Sequence, residues 1–329
     1  MKKCKVAIIG AGNIAREHVR AFYDLKNVDI CGITSRTRTK AELLSNEYGK
    51  FPVFPTIEEL YKKTEADLVV VAVNVQSMKS ISCQCFEYPW AVFLEKPIGI
   101  NYEEGLEILA TSKVMKSRTI VGLNRRFYSN LQTLKMELDK RMGEKRIIHV
   151  YDQQDEQKAL ALGHPEIIVK NWMYSNSIHL IDLFRFFGGS EIKSIQPIVS
   201  EKGEMGKKGV VISKVMYENG DIGIYEGYWN MPGPWAIIVN SGDYRWESCP
   251  LEASRVRTLN DRKDVPIPSH SWDRDFKPGF RLQAQEAVKF ARREPSKSVL
   301  LEEGLRSMKL IHSIYSNQVF DLNKDSCQK

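Results

Sequence analysis

The 329 residues carry 48 Lys and Arg against 41 Asp and Glu, a formal net charge of +7, with 43% hydrophobic and 27% charged residues. That balance is ordinary for a globular chain, and the length suits two cores better than one. It excludes a membrane span, since no apolar run approaches the ~20 residues a bilayer needs, and it offers nucleic acid no dense basic stripe with interleaved aromatics. The six cysteines, Cys4, Cys31, Cys83, Cys85, Cys249 and Cys327, lack paired C-x-x-C spacing. They read as reduced thiols of a cytoplasmic protein with no metal site.

In chain order, the apolar run Val6–Ile9 predicts a strand. Gly10-Ala11-Gly12-Asn13-Ile14-Ala15 follows it directly and opens a helix, Ile14–Leu25. A G-x-G-x-x-A turn in that context is a dinucleotide-binding fingerprint. Gly10 permits the tight turn, Gly12 the close approach of a pyrophosphate, and Ala15 the packing of helix on strand. The helix N-terminus, with Asn13 and Ile14, offers free N–H groups and a positive dipole end to phosphate. A second strand, Val28–Thr34, ends in Thr34-Ser35-Arg36-Thr37-Arg38-Thr39-Lys40. NAD-binding domains usually place a carboxylate there for the ribose 2′-OH. Ser35, Arg36 and Lys40 instead suit a 2′-phosphate, so NADP(H) is the expected preference, with NAD(H) possible; the alternative is a solvated basic loop entering a helix.

Helices are expected at Lys40–Tyr48 and, behind the capping box Thr56-x-x-Glu59, to about Lys62. The near-continuous apolar run Ala66–Val73 suits a parallel strand buried on both faces. A helix Met78–Phe86, a strand Ala91–Leu94, an Asn101-capped helix Tyr102–Val114 and a strand Thr119–Leu123 complete the alternation, which implies a doubly wound parallel sheet. Asn74 and Glu95 are counted with the cofactor-binding residues. Lys96, at the carboxyl tip of Ala91–Leu94, stands where ligands bind in open α/β sheets; the alternative is a solvated loop lysine. The peptide before Pro97 is a candidate for cis.

Beyond residue 123 the pattern changes. Gln132–Lys140 reads as helix and Arg146–Tyr151 as strand, while Gln153–Lys170 is polar and irregular, a loop with a short helix. Ile178–Phe187 is a strongly apolar helix stopped by Gly188-Gly189. Strands follow at Ile192–Val199, Gly209–Tyr217, Ile222–Trp229, Ala236–Asn240 and Arg255–Leu259, with an Asn219-Gly220 hairpin turn. Helices close the chain at Phe280–Arg292 and Glu302–Tyr315. The expected architecture is α/β: residues 1–122 a Rossmann dinucleotide-binding domain, and 123–329 an α+β domain with a mostly antiparallel open sheet.

Several of these segments together resemble the Gfo/Idh/MocA family of NAD(P)-dependent oxidoreductases. They are the glycine turn followed by His18; Asp67-Leu68-Val69-Val70-Val71-Ala72-Val73; Glu95-Lys96-Pro97; Gly122-Leu123-Asn124-Arg125-Arg126-Phe127; and Ser177-Ile178-His179-Leu180-Ile181-Asp182. The resemblance implies hydride transfer between a nicotinamide and a hydroxyl-bearing carbon of a sugar, cyclic polyol or sugar nucleotide. It also implies a homo-oligomer, dimer or tetramer, formed through the second domain's sheet.

Residue roles follow from the same resemblance. Lys96 matches the active-site lysine, whose ammonium can stabilise a developing alkoxide. His179 matches the active-site histidine, a general base near neutral pH. On an α-helix Asp182 at i+3 and Ser175 at i−4 share its face. The family commonly has Asp where this chain has Ser175, so either His179 acts without that carboxylate or Asp182 or Tyr174 compensates. Asn124, Arg126 and Tyr128, with Trp172 and Asn176, are candidate substrate contacts, and Arg125 and Arg126 serve equally well in a structural hydrogen-bond network. Two other readings stand beside the dehydrogenase: a non-catalytic dinucleotide-sensing regulator of the same fold, and a reductase of an imine or ring double bond.

Overall fold

A computed structural model describes residues 2–316 except 262, together with the backbone of 320–321. The chain divides into two compact units, Met1–Phe127 with Ser271–Arg306, and Tyr128–His270 with the described residues from Ser307 on.

The first unit alternates strand and helix: β1 (Cys4–Ile9), α1 (Asn13–Tyr23), β2 (Val28–Thr34), α2 (Arg38–Glu47), β3 (Val53–Phe54), α3 (Ile57–Thr64), β4 (Leu68–Val71), α4 (Val75–Cys85), β5 (Ala91–Leu94), α5 (Tyr102–Val114) and β6 (Arg118–Val121). The helices begin where the sequence puts caps. Thr56 Oγ1 accepts from Glu59 N at 3.1 Å and Asn101 Oδ1 from Glu104 N at 2.9 Å, each cap contributing ~1 kcal/mol. β4 and β5 are buried at every position, as parallel strands covered on both faces must be.

The second unit runs α6 (Ser129–Asp139), β7 (Arg146–Gln154), α7 (Glu156–Ala161), α8 (Glu166–Lys170), a π turn (Met173–Ser177), α9 (Ile178–Phe187), β8 (Ile192–Glu201), β9 (Gly209–Tyr217), β10 (Ile222–Trp229), β11 (Trp235–Ser241), β12 (Tyr244–Ser248), β13 (Ser254–Thr258) and β14 (Val265–Ile267). Then come α10 (Trp272–Asp275), α11 (Phe280–Ala291), β15 (Val299–Leu300), α12 (Leu301–Tyr315) and β16 (Phe320–Asp321). The first sheet has the order β15-β6-β5-β4-β1-β2-β3, parallel except for β15. The second has the order β14-β13-β12-β11-β7-β10-β9-β8-β16, antiparallel except for the pair β7–β10. The Asn219-Gly220 turn joins β9 to β10, with Gly220 at φ 86°.

Two expectations need correction. The division expected at 122/123 falls at Phe127/Tyr128 instead, and Ser271–Arg306 returns to the first unit. The cause is apolar burial: α11 delivers Phe280, Ala284, Ala287 and Val288 to the core built on β1, β2 and β4. The segment 153–170, expected as a loop with one short helix, begins with the last two residues of β7 and carries two helices, α7 and α8. Gln153 and Gln154 are polar, yet the ladder to β10 continues through them. The described cysteines, Cys4, Cys31, Cys83, Cys85 and Cys249, form no disulfide; Cys327 lies outside the described residues.

The tightest backbone requirement is at the first turn. Gly10 has φ 108°, and a Cβ there would stand 2.2 Å from the Ala72 carbonyl oxygen. Gly10→Ala is therefore expected to lose about 1–3 kcal/mol from backbone strain alone, with the clash added, as measured by urea denaturation. Wild-type stability in that variant would contradict the close approach of β1 and β4.

Candidate active site

In the first unit the carboxyl ends of β1, β2 and β4 frame a cleft of about 520 Å³, whose lining includes Gly10, Gly12, Asn13, Ile14, Ser35, Arg36, Lys40 and Asn74. α1 starts at its floor. Gly12, its N-cap, is extended and supplies no side-chain cap, and the first turn holds no acidic residue. The first-turn N–H groups are thus left for a ligand. A Cβ at Gly12 would meet nothing within 4 Å, so the cradle is open where a diphosphate would lie. The residues present fit a dinucleotide. At the end of β2, Arg36 and Lys40 are exposed and form no ion pair among the described residues, whereas Arg38 is paired with Glu42. Asn74 carries a second duty, accepting from Ser77 N at 2.9 Å as the cap of α4. Ala11, Thr37, Ala72, Val73, Ser77 and Ile81 also line the cleft; adjacency to the glycine turn, β2 and β4 was their sequence signal.

Glu95 and Lys96 are not among that lining. Glu95, expected to touch cofactor, is buried and engaged: Oε1 meets His18 Nε2 at 2.6 Å and Oε2 accepts from Lys96 N at 3.2 Å. The Lys96–Pro97 peptide is cis. Lys96 is half-buried, and its ammonium is lowered from 10.5 to about 8, first by desolvation, with Arg125 and Lys277 adding to the fall and Glu95 opposing it. Lys277 is itself lowered, by burial and then by Arg125. Three cations thus gather about one acid at the end of β5. Lys277 carried no sequence signal, because its segment reaches the sheet only through the return of α11. Asn124, expected to contact substrate, is buried and donates to Pro278 O at 3.0 Å, which makes it a strut for that returning segment.

In the second unit His179 and Asp182 are buried on α9. Ser307 Oγ donates to Asp182 Oδ1 at 2.6 Å. Ser175 does not occupy the expected i−4 position of an α-helix, because Met173–Ser177 is a π turn. Its wider i→i+5 repeat shifts the face that precedes His179. Tyr174 Oη lies 3.2 Å from His312 Nδ1, Trp172 packs edge-on to His164 with centroids 4.9 Å apart, Asn176 Nδ2 donates to Gln154 Oε1 at 2.8 Å, and Tyr128 Oη donates to Glu252 at 3.2 Å. Arg126 is half-buried. Asp152 and Gln154, on the inward face of β7, escaped sequence reasoning because their stretch looked like a loop.

A parallel sheet with an uncapped, glycine-cradled helix N-terminus, followed by a large mostly antiparallel sheet, defines a nucleotide-binding two-domain protein. Residues 4–123, the first domain as far as the end of its parallel strands, match the oxidoreductase family with NAD-binding Rossmann fold, GFO_IDH_MocA. It is 31% identical over 131 residues to glucose-6-phosphate 3-dehydrogenase of Bacillus subtilis (strain 168), a match covering 40% of this chain and 37% of that enzyme's length. It is 21% identical over 231 residues to myo-inositol 2-dehydrogenase of Thermotoga maritima, covering 68% and 67%. The crystal structure of an oxidoreductase from Thermotoga maritima shares the fold over 98% of this chain and 99% of that one, with a TM-score of 0.78 at 18% identity. No described helix is long and apolar enough to cross a membrane, and the described residues hold no cluster of three or more His, Cys, Asp or Glu fit for a metal.

The Lys96 shift has a consequence for stability. Its folded value of about 8 lies below the ordinary 10.5, so between those pH values the unfolded chain binds more protons. Stability contributed by this group therefore rises with pH across that window, and the burden is complete below pH 8. Lys96→Met is expected to melt a few degrees higher than wild type at pH 7, with the difference shrinking toward pH 10. A constant difference across that range would show that desolvation of the ammonium is not its source.

Proposed function

We propose that the chain is an NADP(H)-preferring dehydrogenase or reductase of a hydroxyl-bearing carbon on a sugar, cyclic polyol or sugar nucleotide. The observation that carries this reading is the open cradle at Gly12 and the α1 N-terminus, in a domain whose β5 ends in a desolvated lysine. When bound, the nicotinamide supplies the hydride acceptor or donor. Gly10, Gly12, Asn13 and Ile14 hold the diphosphate, and Ser35, Arg36 and Lys40 receive the 2′-phosphate. Lys96 donates a hydrogen bond to the reacting oxygen and stabilises its developing charge. His179 takes the hydroxyl proton in the oxidation direction. Arg126, Tyr128, Trp172 and Asn176 contact the substrate. The reading extends to a cytoplasmic homo-oligomer, a dimer or tetramer formed through the outward face of the second sheet, where Ile147 is 44% exposed. A second reading, a dinucleotide-sensing regulator, is favoured by one observation, the serine at position 175. Turnover of sugar acids, inositols or nucleotide sugars with NADP+, followed at 340 nm (roughly the absorbance of any reduced nicotinamide), separates the two; no turnover across the panel favours the regulator.

Cofactor choice is checked by calorimetry. Arg36→Ala is expected to weaken NADP+ at least about tenfold, the scale of a charge-assisted pair, while NAD+ changes little. Equal weakening of both, or a wild-type preference for NAD+, would overturn the NADP(H) assignment.

Lys96→Met and His179→Ala are each expected to lower kcat by about 100-fold or more, with NADP+ affinity little altered. If His179→Ala keeps near-normal kcat while Tyr174→Phe is inactive, the proton passes through Tyr174 instead. With Lys96 near 8, kcat/KM is expected to fall about tenfold per pH unit above that value, because the neutral amine no longer stabilises an oxyanion.

A further inference from the structure

Asp152 has no solvent exposure. Its Oδ2 accepts from Tyr225 Oη at 2.7 Å, and its Oδ1 accepts from Trp235 Nε1 at 2.9 Å and from Gln154 Nε2. Tyr225 Oη also meets Tyr315 Oη at 2.6 Å, to which Trp229 Nε1 donates at 3.1 Å. Burial raises the carboxyl above its ordinary value, and the donors around it oppose the rise.

A carboxylate that receives donors on both oxygens imposes a direction on its neighbours. Gln154 has to turn its NH2 toward Asp152, so its Oε1 faces Asn176 and accepts from Nδ2 at 2.8 Å. Asn176 then has its NH2 committed to Gln154. Its Oδ1 has no hydrogen-bond partner among the described residues, and is the atom this side chain presents. An amide taken alone can face either way; here one buried carboxyl, already met by the Trp235 indole, which can only donate, orients two of them. A second arm leads from the same carboxylate. The Trp235 indole that donates to Asp152 stands edge-on to His179, with centroids 6.3 Å apart at 89°.

We infer that Asp152 is a positioning residue that, through Gln154, makes Asn176 present a hydrogen-bond acceptor, and so selects a substrate bearing a hydroxyl donor at that point. The same carboxylate holds Trp235 against His179. The inference deepens the function proposed above and rests on its placing of Asn176 at the substrate.

Three variants and two measurements test it. Asp152→Asn keeps an oxygen acceptor for Gln154 and Trp235, Asp152→Ala removes it, and Gln154→Met cuts the chain without touching Asp152. With the panel compound turned over best, Asp152→Ala and Gln154→Met are expected to raise KM at least about tenfold, the loss of one net hydrogen bond, with a smaller fall in kcat. Asp152→Asn should stay within about threefold on the same scale, and NADP+ affinity should not change. A purely structural role would reduce the active fraction, hence kcat, at constant KM, and that result overturns the proposal. The second measurement needs no substrate. In 15N spectra of the full chain, the Asn176 side-chain NH2 is identified by its loss in Asn176→Ser. Gln154→Met and Asp152→Ala are expected to shift it and to speed its exchange with solvent, and Asp152→Ala is expected to shift the Trp235 indole signal. An unmoved Asn176 signal in both variants overturns the chain of orientation. A moved signal in an enzyme that turns over nothing supports that chain and removes the substrate class instead.

Discussion

The carboxyl end of the parallel sheet depends on the 2.6 Å contact between His18 Nε2 and Glu95 Oε1. It joins the middle of α1 to the residue after β5, in a place almost closed to water. Phe93 and Phe280 pack against the imidazole at 5.0 and 4.8 Å, so neither partner can be hydrated if the other is lost. His18 Nδ1 is buried without a partner, which favours the tautomer that carries its proton on Nε2, donating into a carboxylate. The other carboxylate oxygen receives the backbone N–H of Lys96. Gly122, one residue past β6, completes the fit, because a Cβ there would stand 2.8 Å from Glu95 Oε1. The starting point of the Lys96 side chain is therefore held by three elements, and its ammonium is offered from a backbone that cannot drift.

Most of the first unit could be read from sequence because its signals are local. A glycine turn after an apolar strand, an N-cap Thr or Asn, and a run of Val buried on both faces each act within a few residues. What escaped was long-range. Nothing near Phe280 says that α11 packs against β1 and β4, yet its apolar face has no other core to enter. Lys277 and Pro278 are carried to Glu95 and Asn124 by that return. In the second unit the period-2 alternation of β9 and β10 was clear, whereas β7 ends in Asp152-Gln153-Gln154, whose inward residues are polar. A polar residue on an inward face reads as a loop unless its partners are known, and those partners lie on β10, β11 and the π turn before α9. The π turn before α9 was hidden for a related reason. The i−4 rule that placed Ser175 under His179 assumes an α-helix, and one altered turn moves every residue before it around the axis.

The two units handle buried charge in opposite ways. At the end of β5 three cations share one acid, and burial first, with the neighbouring cations adding to it, lowers Lys96 and Lys277. Such a site is costly in the folded protein alone and is relieved by an anionic or oxygen-rich ligand, which suits a place where negative charge develops during reaction.

The second unit instead buries acids and surrounds them with donors. Asp221 accepts from Arg146 N and Gly189 N, both at 2.9 Å. Glu156 takes Lys202 at 2.5 Å, Gly206 N at 2.8 Å and Asn230 Nδ2 at 3.0 Å. Asp152 is met by a tyrosine, an indole and an amide. An unpaired carboxylate in such surroundings costs several kcal/mol, so each acid forces its neighbours into the one arrangement that points donors at it. Asp221 spends that constraint on two main-chain N–H groups, of Arg146 at the start of β7 and of Gly189 after α9, and Glu156 on one, of Gly206, together with the side chains of Lys202 and Asn230. Asp152 spends it on side chains, and those side chains lead to Asn176 and His179. A buried acid among backbone donors fixes where the chain runs; one among side-chain donors fixes which way those side chains face. Asp152 differs from Asp221, and from Glu156 with its mixed set, in taking only side-chain donors, and that difference is the basis for assigning it a positioning role.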